Sequence, residues 1–245
     1  MKAVFTGFNE NYWHLWGMSW LTSLQKIAQY KGDIFVVGFN LTEITQQKLV
    51  NAGVNLINST ADSNYRQNTL LEINRFAKNK DGVFVYWDAD AYFQEPIDSI
   101  FDLAKETLVI TTNSNLGFIA GPANQWQIFE KMNSLMASFN DERNLFTSVL
   151  VYFDGLFNRI DDTWNFTNIG NLKDLNGKLI YKDKVQKVIH LSGFIKDCLN
   201  NKNILFQERY KEYNSLFKKR TLKFISALQH NQDIQVEESG IEPVS

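Results

Sequence analysis

The chain has 245 residues, 44% of them hydrophobic, with a formal net charge of −2. That is enough apolar material for one sizeable core, and the charge balance excludes a global attraction to nucleic acid. The single cysteine, Cys198, excludes an internal disulfide, and no apolar run approaches the roughly 18 residues of a membrane span. The opening residues carry Lys2 before a short apolar run and no secretory h-region, so one domain in a reducing cytoplasm is expected.

Taken in chain order, strand and helix signals alternate, which predicts an open, mainly parallel α/β sheet. "KAVFTGF" reads as the first strand, and residues 14–30 as a helix with Leu15, Met18, Leu21, Leu24 and Ile27 at helical spacing. "DIFVVGF" follows as a strand. A short helix comes next, with Thr42 as its N-cap and Gly53 past its end. "VNLIN" is a brief strand and "NTLLEINRFAKN" a helix; "VFVYW" is a strand apolar on both faces, as suits the middle of a parallel sheet. Beyond it, "TLVITTN" and "LGFIAG" read as strands, "ANQWQIFEKMNSLMASF" and "DERNLFTSVLVYF" as helices, and "KVIHLSGF" as a late strand entering a turn. Residues 207–228 read as a basic amphipathic helix, and residues 231–245 as an acidic tail expected to be disordered.

Two segments carry chemistry. Asp88 and Asp90 close the "VFVYW" strand, at the carboxyl end where ligands bind in open α/β sheets. Residues i and i+2 of a strand point the same way, so the pair can aim two hard carboxylates at one divalent cation holding a diphosphate. The plain alternative is a solvated turn after a strand. "HLSGFIKD" then offers His190, Gly193 and Lys196 as H-x-x-G-x-x-K. Imidazole suits a borderline cation such as Mn²⁺, glycine admits close backbone approach to phosphate, and lysine supplies a point charge. Outside this motif a histidine is more often a satisfied core residue, which is the expectation for His14 and His230. Lys196 can equally be one charge on a solvated face, Gly193 a turn glycine and Tyr12 a core aromatic.

Together the D-x-D and the H-x-x-G-x-x-K resemble glycosyltransferase family 8, retaining enzymes of GT-A fold that use nucleotide-sugar donors. The resemblance covers roughly residues 1 to 200. It implies a metal, Mn²⁺ or Mg²⁺, on Asp88, Asp90 and His190. "TGFNENYW" is similar to the family's first strand and nucleotide loop, which gives Thr6, Asn11 and Tyr12 to the donor, with Asn9 and Glu10 where the family has acidic residues. Ala89, Gly193 and Lys196 join them. "NSNLGFIAG" before Trp126 resembles an N-x-G-x-x-x-G segment, placing Asn115 and Gly117 at the sugar. "DERNLF" puts Asp141 and Glu142 where the family has D-Q, as catalytic candidates with Lys196; Asp141 can also simply cap the helix that follows. "DDTWNF" matches a W-N pair common in these enzymes. Arg66 is the candidate donor arginine, with Arg75 as its rival.

The resemblance thus implies hexosyl transfer from a nucleotide diphosphate sugar, expected to be a UDP-sugar, to a glycan or lipid-linked acceptor, with retention. The alternatives are a sugar-nucleotide or glycan binding domain without catalysis and a sugar-1-phosphate nucleotidyltransferase. The latter would want a glycine-rich basic loop after the first strand. Neither G-x-G-x-x-G nor G-x-x-x-x-G-K-[ST] occurs there, and a D-x-D phosphatase would carry its motif where this chain has Thr6 and Gly7. The expected organisation is a GT-A domain over 1–200, the basic helix within 201–230 and the tail. That helix either packs on the domain or docks peripherally on the inner face of an anionic membrane.

Overall fold

The computed structural model describes residues 1–60, 65–113, 116–131, 154–167, 172–175 and 178–190. The expected helices at 141 and 207–228 and the acidic tail lie outside them. Among the described residues the strands are β1 (Lys2–Asn9), β2 (Asp33–Phe39), β3 (Asn55–Ser59), β4 (Val83–Trp87), β5 (Ala91–Phe93), β6 (Leu108–Thr111), β7 (Phe118–Pro122), β8 (Phe157–Ile160), β9 (Lys173–Leu175), β10 (Lys178–Tyr181), β11 (Lys184–Val185) and β12 (Val188–His190).

Seven of these strands build the central sheet in the order β3-β2-β1-β4-β7-β6-β8. β3, β2, β1 and β4 are mutually parallel, β7 runs against both β4 and β6, and β8 is parallel to β6. A mainly parallel mixed sheet is therefore present, with β7 as its reversed member. Strand alternation sorts the core into two layers. Val4, Val36, Val85, Trp87 and Phe118 face one cluster with Trp13, Trp20 and Leu24, while Ala3, Phe5, Phe35, Phe84, Tyr86 and Ile119 face another with Leu70, Ile73 and Trp126. Both faces are covered, as a parallel sheet requires.

The first helix differs from expectation. It begins at Glu10 rather than His14, runs over residues 10–27, and includes π-helical turns at Trp13–Gly17 and Ser23–Ile27. Asn9 caps it, its side chain accepting a 2.9 Å hydrogen bond from the Tyr12 amide. The buried stripe is Trp13, Trp16, Trp20, Leu21 and Leu24, whereas Leu15 is half exposed. Tryptophan removes more apolar area from water than leucine, so the tryptophan phase decides which face turns inward. His14 is no core residue: it is 48% exposed and sits 3.1 Å from Glu10 Oε1.

Glu10 is the tie between this helix and the next. Its carboxylate accepts from the Thr42 amide at 2.9 Å and from the Thr45 hydroxyl at 2.6 Å, while Thr42 caps the Glu43–Asn51 helix as expected. Burial raises the Glu10 pKa, and the hydrogen bonds from Thr45 and Thr42 outweigh it, leaving a net lowering. A lowered carboxylate pKa contributes stability that is present above the unfolded value near 4.3 and is lost as pH falls. Glu10→Gln is therefore expected to melt lower than the parent at pH 7, by roughly 1 kcal/mol, with the gap closing below about pH 4. Thermal melts across pH 3 to 7 measure this, and a gap that does not change with pH would refute the assignment.

The Tyr65–Ala77 helix packs against β1 at a close approach. A Cβ on Gly7 would lie 1.9 Å from Thr69 Oγ1, so only glycine lets the helix sit this near the sheet. Its first turn, carrying Arg66, is thereby held beside the carboxyl ends of β1 and β4.

Candidate metal centre and donor site

The two aspartates are set by a turn, not by strand alternation. β4 ends at Trp87, Asp88 accepts at its carbonyl from the Ala91 amide at 3.1 Å, and β5 begins immediately after Asp90. The Asp88 amide donates to the Gly117 carbonyl at 2.9 Å, which fixes the end of β4 against the entry to β7. Gly117, expected at the sugar site, thus touches the metal loop through its backbone.

His190 reaches the same point by long-range pairing. β12 lies antiparallel on β5 with His190 opposite Ala91, next to Asp90. On its other side the His190 amide donates to the Phe166 carbonyl at 2.9 Å, and Phe166 donates to Val188 at 3.0 Å. The W-N pair just before Phe166 braces this region through its backbone. Trp87 Nε1 donates to the Trp164 carbonyl at 3.0 Å, and Asn113 Nδ2 to the Asn165 carbonyl at 2.9 Å. A small sheet, β11-β10-β9, has no counterpart among the expected elements. It is locked to β5 by buried Gln94, whose Nε2 donates to the Leu179 and Gln186 carbonyls while its Oε1 accepts from the Leu179 amide.

Asp88, Asp90 and His190 therefore converge, one potential ligand atom from each lying within 4.8 Å of the others, and all three side chains are buried. His190 Nε2 is 3.1 Å from Asp90 Oδ1 and 3.3 Å from Asp88 Oδ2. Two carboxylates and an imidazole fit a divalent cation of the Mn²⁺ or Mg²⁺ type. Burial alone would lower the His190 pKa, but the carboxylates of Asp90 and Asp88 outweigh it and push it up to about 9. The ring ligates a cation only in its neutral form, so metal binding there displaces the proton that these carboxylates favour. For Asp88, burial works upward and is overcome by Arg66 and then His190, which hold the carboxyl well below its usual range.

Arg66 is the candidate arginine that the structure brings here. Its Nε donates to Asp88 Oδ1 at 3.1 Å and its Nη2 contacts Oδ2, a bidentate pair. Arg75 instead pairs with Glu72 on an exposed helix face. Tyr86, absent from the sequence candidates, donates its hydroxyl to Asp88 Oδ1. The i, i+2 relation of Tyr86 and Asp88 was the available signal.

Asn11 and Tyr12 are exposed on the first helical turn. Tyr12 is close enough to the pair that, after burial, the charges of Asp90 and Asp88 raise its hydroxyl pKa. Thr6 and Ala89 are enclosed, Thr6 within β1 and Ala89 in the turn, so neither offers a side chain to solvent. Asn115, Asp141, Glu142, Gly193 and Lys196 lie outside the described residues.

No protein-family model and no curated protein matches the chain. Solved structures do. The bifunctional glycosyltransferase WbbM superposes with a TM-score of 0.55 at 15% identity, over 78% of this chain and 45% of that one. The glycosyltransferase GlyE of Streptococcus pneumoniae TIGR4 gives 0.60 at 15% identity, over 92% and 63%. The galactosyltransferase LgtC, solved with donor and acceptor sugar analogues, gives 0.56 at 14% identity, over 88% and 95%. The fold is that of GT-A glycosyltransferases. The chain spans less than two thirds of WbbM and GlyE but nearly the whole of LgtC. Among the described residues no helix is long and apolar enough to cross a membrane.

Proposed function

We propose that this chain is a metal-dependent glycosyltransferase that moves a hexosyl group from a UDP-sugar to a hydroxyl of a glycan or lipid-linked acceptor, with retention at the anomeric carbon. The observation that carries the reading is the convergence of Asp88, Asp90 and His190 at the carboxyl end of β4, in a fold of the glycosyltransferase type. The solved complex of LgtC with donor and acceptor sugar analogues supports a sugar donor here.

Breaking the bond between sugar and phosphate leaves charge on the diphosphate, so the chemical need is leaving-group stabilisation. A Mn²⁺ or Mg²⁺ ion on the triad would supply Lewis-acid stabilisation there. The two carboxylates hold the charge that such a cation needs, and their burial strengthens its attraction. Exposed Asn11 and Tyr12 are assigned to the nucleoside, Arg66, Gly193 and Lys196 to the diphosphate, and Asn115, Gly117, Asp141 and Glu142 to the sugar and acceptor. Retention is read as a front-face transfer in which the departing phosphate oxygen takes the acceptor's proton, so no enzyme nucleophile is required.

Release of nucleoside diphosphate from a panel of nucleotide sugars, with Mn²⁺ and with chelator, tests this. Slow hydrolysis of one UDP-sugar, abolished by chelator, is the expected result. Tight donor binding with no release under any acceptor would replace the reading with a binding domain, and formation of nucleoside triphosphate from pyrophosphate with a nucleotidyltransferase.

A further inference from the structure

The Asp88 carboxylate is crowded, with Arg66 on both of its oxygens. A carboxylate offers about four lone-pair positions; Arg66 Nε and the Tyr86 hydroxyl donate to Oδ1 and Arg66 Nη2 to Oδ2, while His190 Nε2, with one hydrogen, lies 3.3 Å from Oδ2 and nearer, at 3.1 Å, to Asp90 Oδ1. A divalent cation needs one of those positions at roughly 2.0–2.2 Å, and beside a guanidinium on the same carboxylate it would also meet like-charge repulsion. His190 sheds its hydrogen on ligating, and of the donors that remain on Asp88 the guanidinium is the one that repels the ion. Tyr86 is buried on β4, and His190 is held from both sides of β12 and is itself a prospective ligand. Arg66 has a long side chain in a first helical turn, 36% exposed.

We propose that Arg66 is the metal's built-in rival: it neutralises Asp88 in the metal-free protein and is exchanged for the cation when the site loads. The exchange rests on the metal site proposed above and adds an order to it. Paired with Asp88, the guanidinium has both of the donors that face this carboxylate engaged, so it meets a donor diphosphate in this bidentate fashion only after the cation has taken its place. Arg66 then reports loading of the metal to the phosphate side of the site. The opposite possibility is that Arg66 stays in place and orients Asp88 for the metal; outer-shell partners of that kind typically strengthen binding about 10–100-fold. The two arrangements give opposite signs.

Mn²⁺ titration, followed by the electron paramagnetic resonance of the unbound ion, separates them without any turnover. Against the parent, Arg66→Met is expected to bind Mn²⁺ at least about tenfold tighter, because the competing cation is gone. Arg66→Lys, which keeps a charge but loses the fork, should fall between, and it supplies the same comparison if the methionine variant does not fold. The metal-free Arg66→Met protein should melt lower than the parent, and saturating Mn²⁺ should close most of the gap. Unchanged or weaker Mn²⁺ binding in both variants, with binding still abolished by Asp90→Asn, overturns the exchange and leaves the metal site standing. Absence of Mn²⁺ binding in parent and variants alike overturns both.

Discussion

Asp90→Asn is expected to lower turnover about a thousandfold while leaving the fold in place. Lewis-acid stabilisation of a departing diphosphate amounts to several kcal/mol, at about 1.4 kcal/mol per tenfold in rate. Asparagine is isosteric, and its Oδ1 can still accept the 3.1 Å hydrogen bond from His190 Nε2 inside a pocket where Asp90 is 3% exposed. The charge and one hard ligand are lost, and the packing is not. Asp88→Asn is the poorer probe, because Asp88 also anchors Arg66, Tyr86 and His190; removing one partner of such a cluster leaves a guanidinium without its counter-charge and destabilises the fold as well. Nucleoside diphosphate release and Mn²⁺ binding, measured on a variant whose melting curve matches the parent, check this. Undiminished release together with lost metal binding would show that the reaction runs without the cation.

The site was legible where local rules fixed it. Five apolar residues followed by Asp88-x-Asp90 announced a buried strand opening into a polar turn, and the structure places the pair at the carboxyl end of β4. Strand alternation does not by itself account for their convergence. It would aim the carboxylates in parallel, whereas a turn closed by the Ala91 amide gathers them. The partner of Arg66 was not legible, since it depends on the Tyr65–Ala77 helix lying close over β1, which Gly7 permits. The pairing of β12 with β5 joins segments nearly 100 residues apart and leaves no local periodicity to read; the H-x-x-G-x-x-K resemblance alone pointed to His190.

The fold followed the same division. Strands buried on both faces, such as β2 and β4, announce themselves as unbroken apolar runs. β5, β9 and β11 have two or three residues each, too few for a period to show, and the small sheet depends on hydrogen bonds from one buried glutamine, Gln94. In the first helix, Leu21 and Leu24 of the expected series are buried, but Trp13, Trp16 and Trp20 share the inward face and Leu15 turns out, because side-chain area as well as spacing sets the phase.

Trp87→Ala is expected to be the most damaging single change to the described core, and the damage should reach the metal centre. Trp87 is fully buried at the last position of β4, edge-on to Phe93 at 5.1 Å and tilted on Phe118 at 5.2 Å. Truncating a buried tryptophan costs about 3–5 kcal/mol through lost transfer energy and the cavity left behind. The indole also donates to the Trp164 carbonyl, and leaving that buried acceptor unpaired adds about 1–3 kcal/mol. Against a typical stability of about 5–15 kcal/mol, a fall in melting temperature of roughly 10 °C or more follows. Phe93 belongs to β5 and Trp164 leads into the segment that clamps β12, so the indole braces both flanks of His190. Mn²⁺ affinity should therefore drop even where the variant remains folded. Trp87→Phe keeps most of the ring packing and loses the indole donor, so it should melt only a few degrees low, which separates packing from the hydrogen bond. Equal melting temperatures for Trp87→Ala and the parent would show that the indole does not hold these segments together.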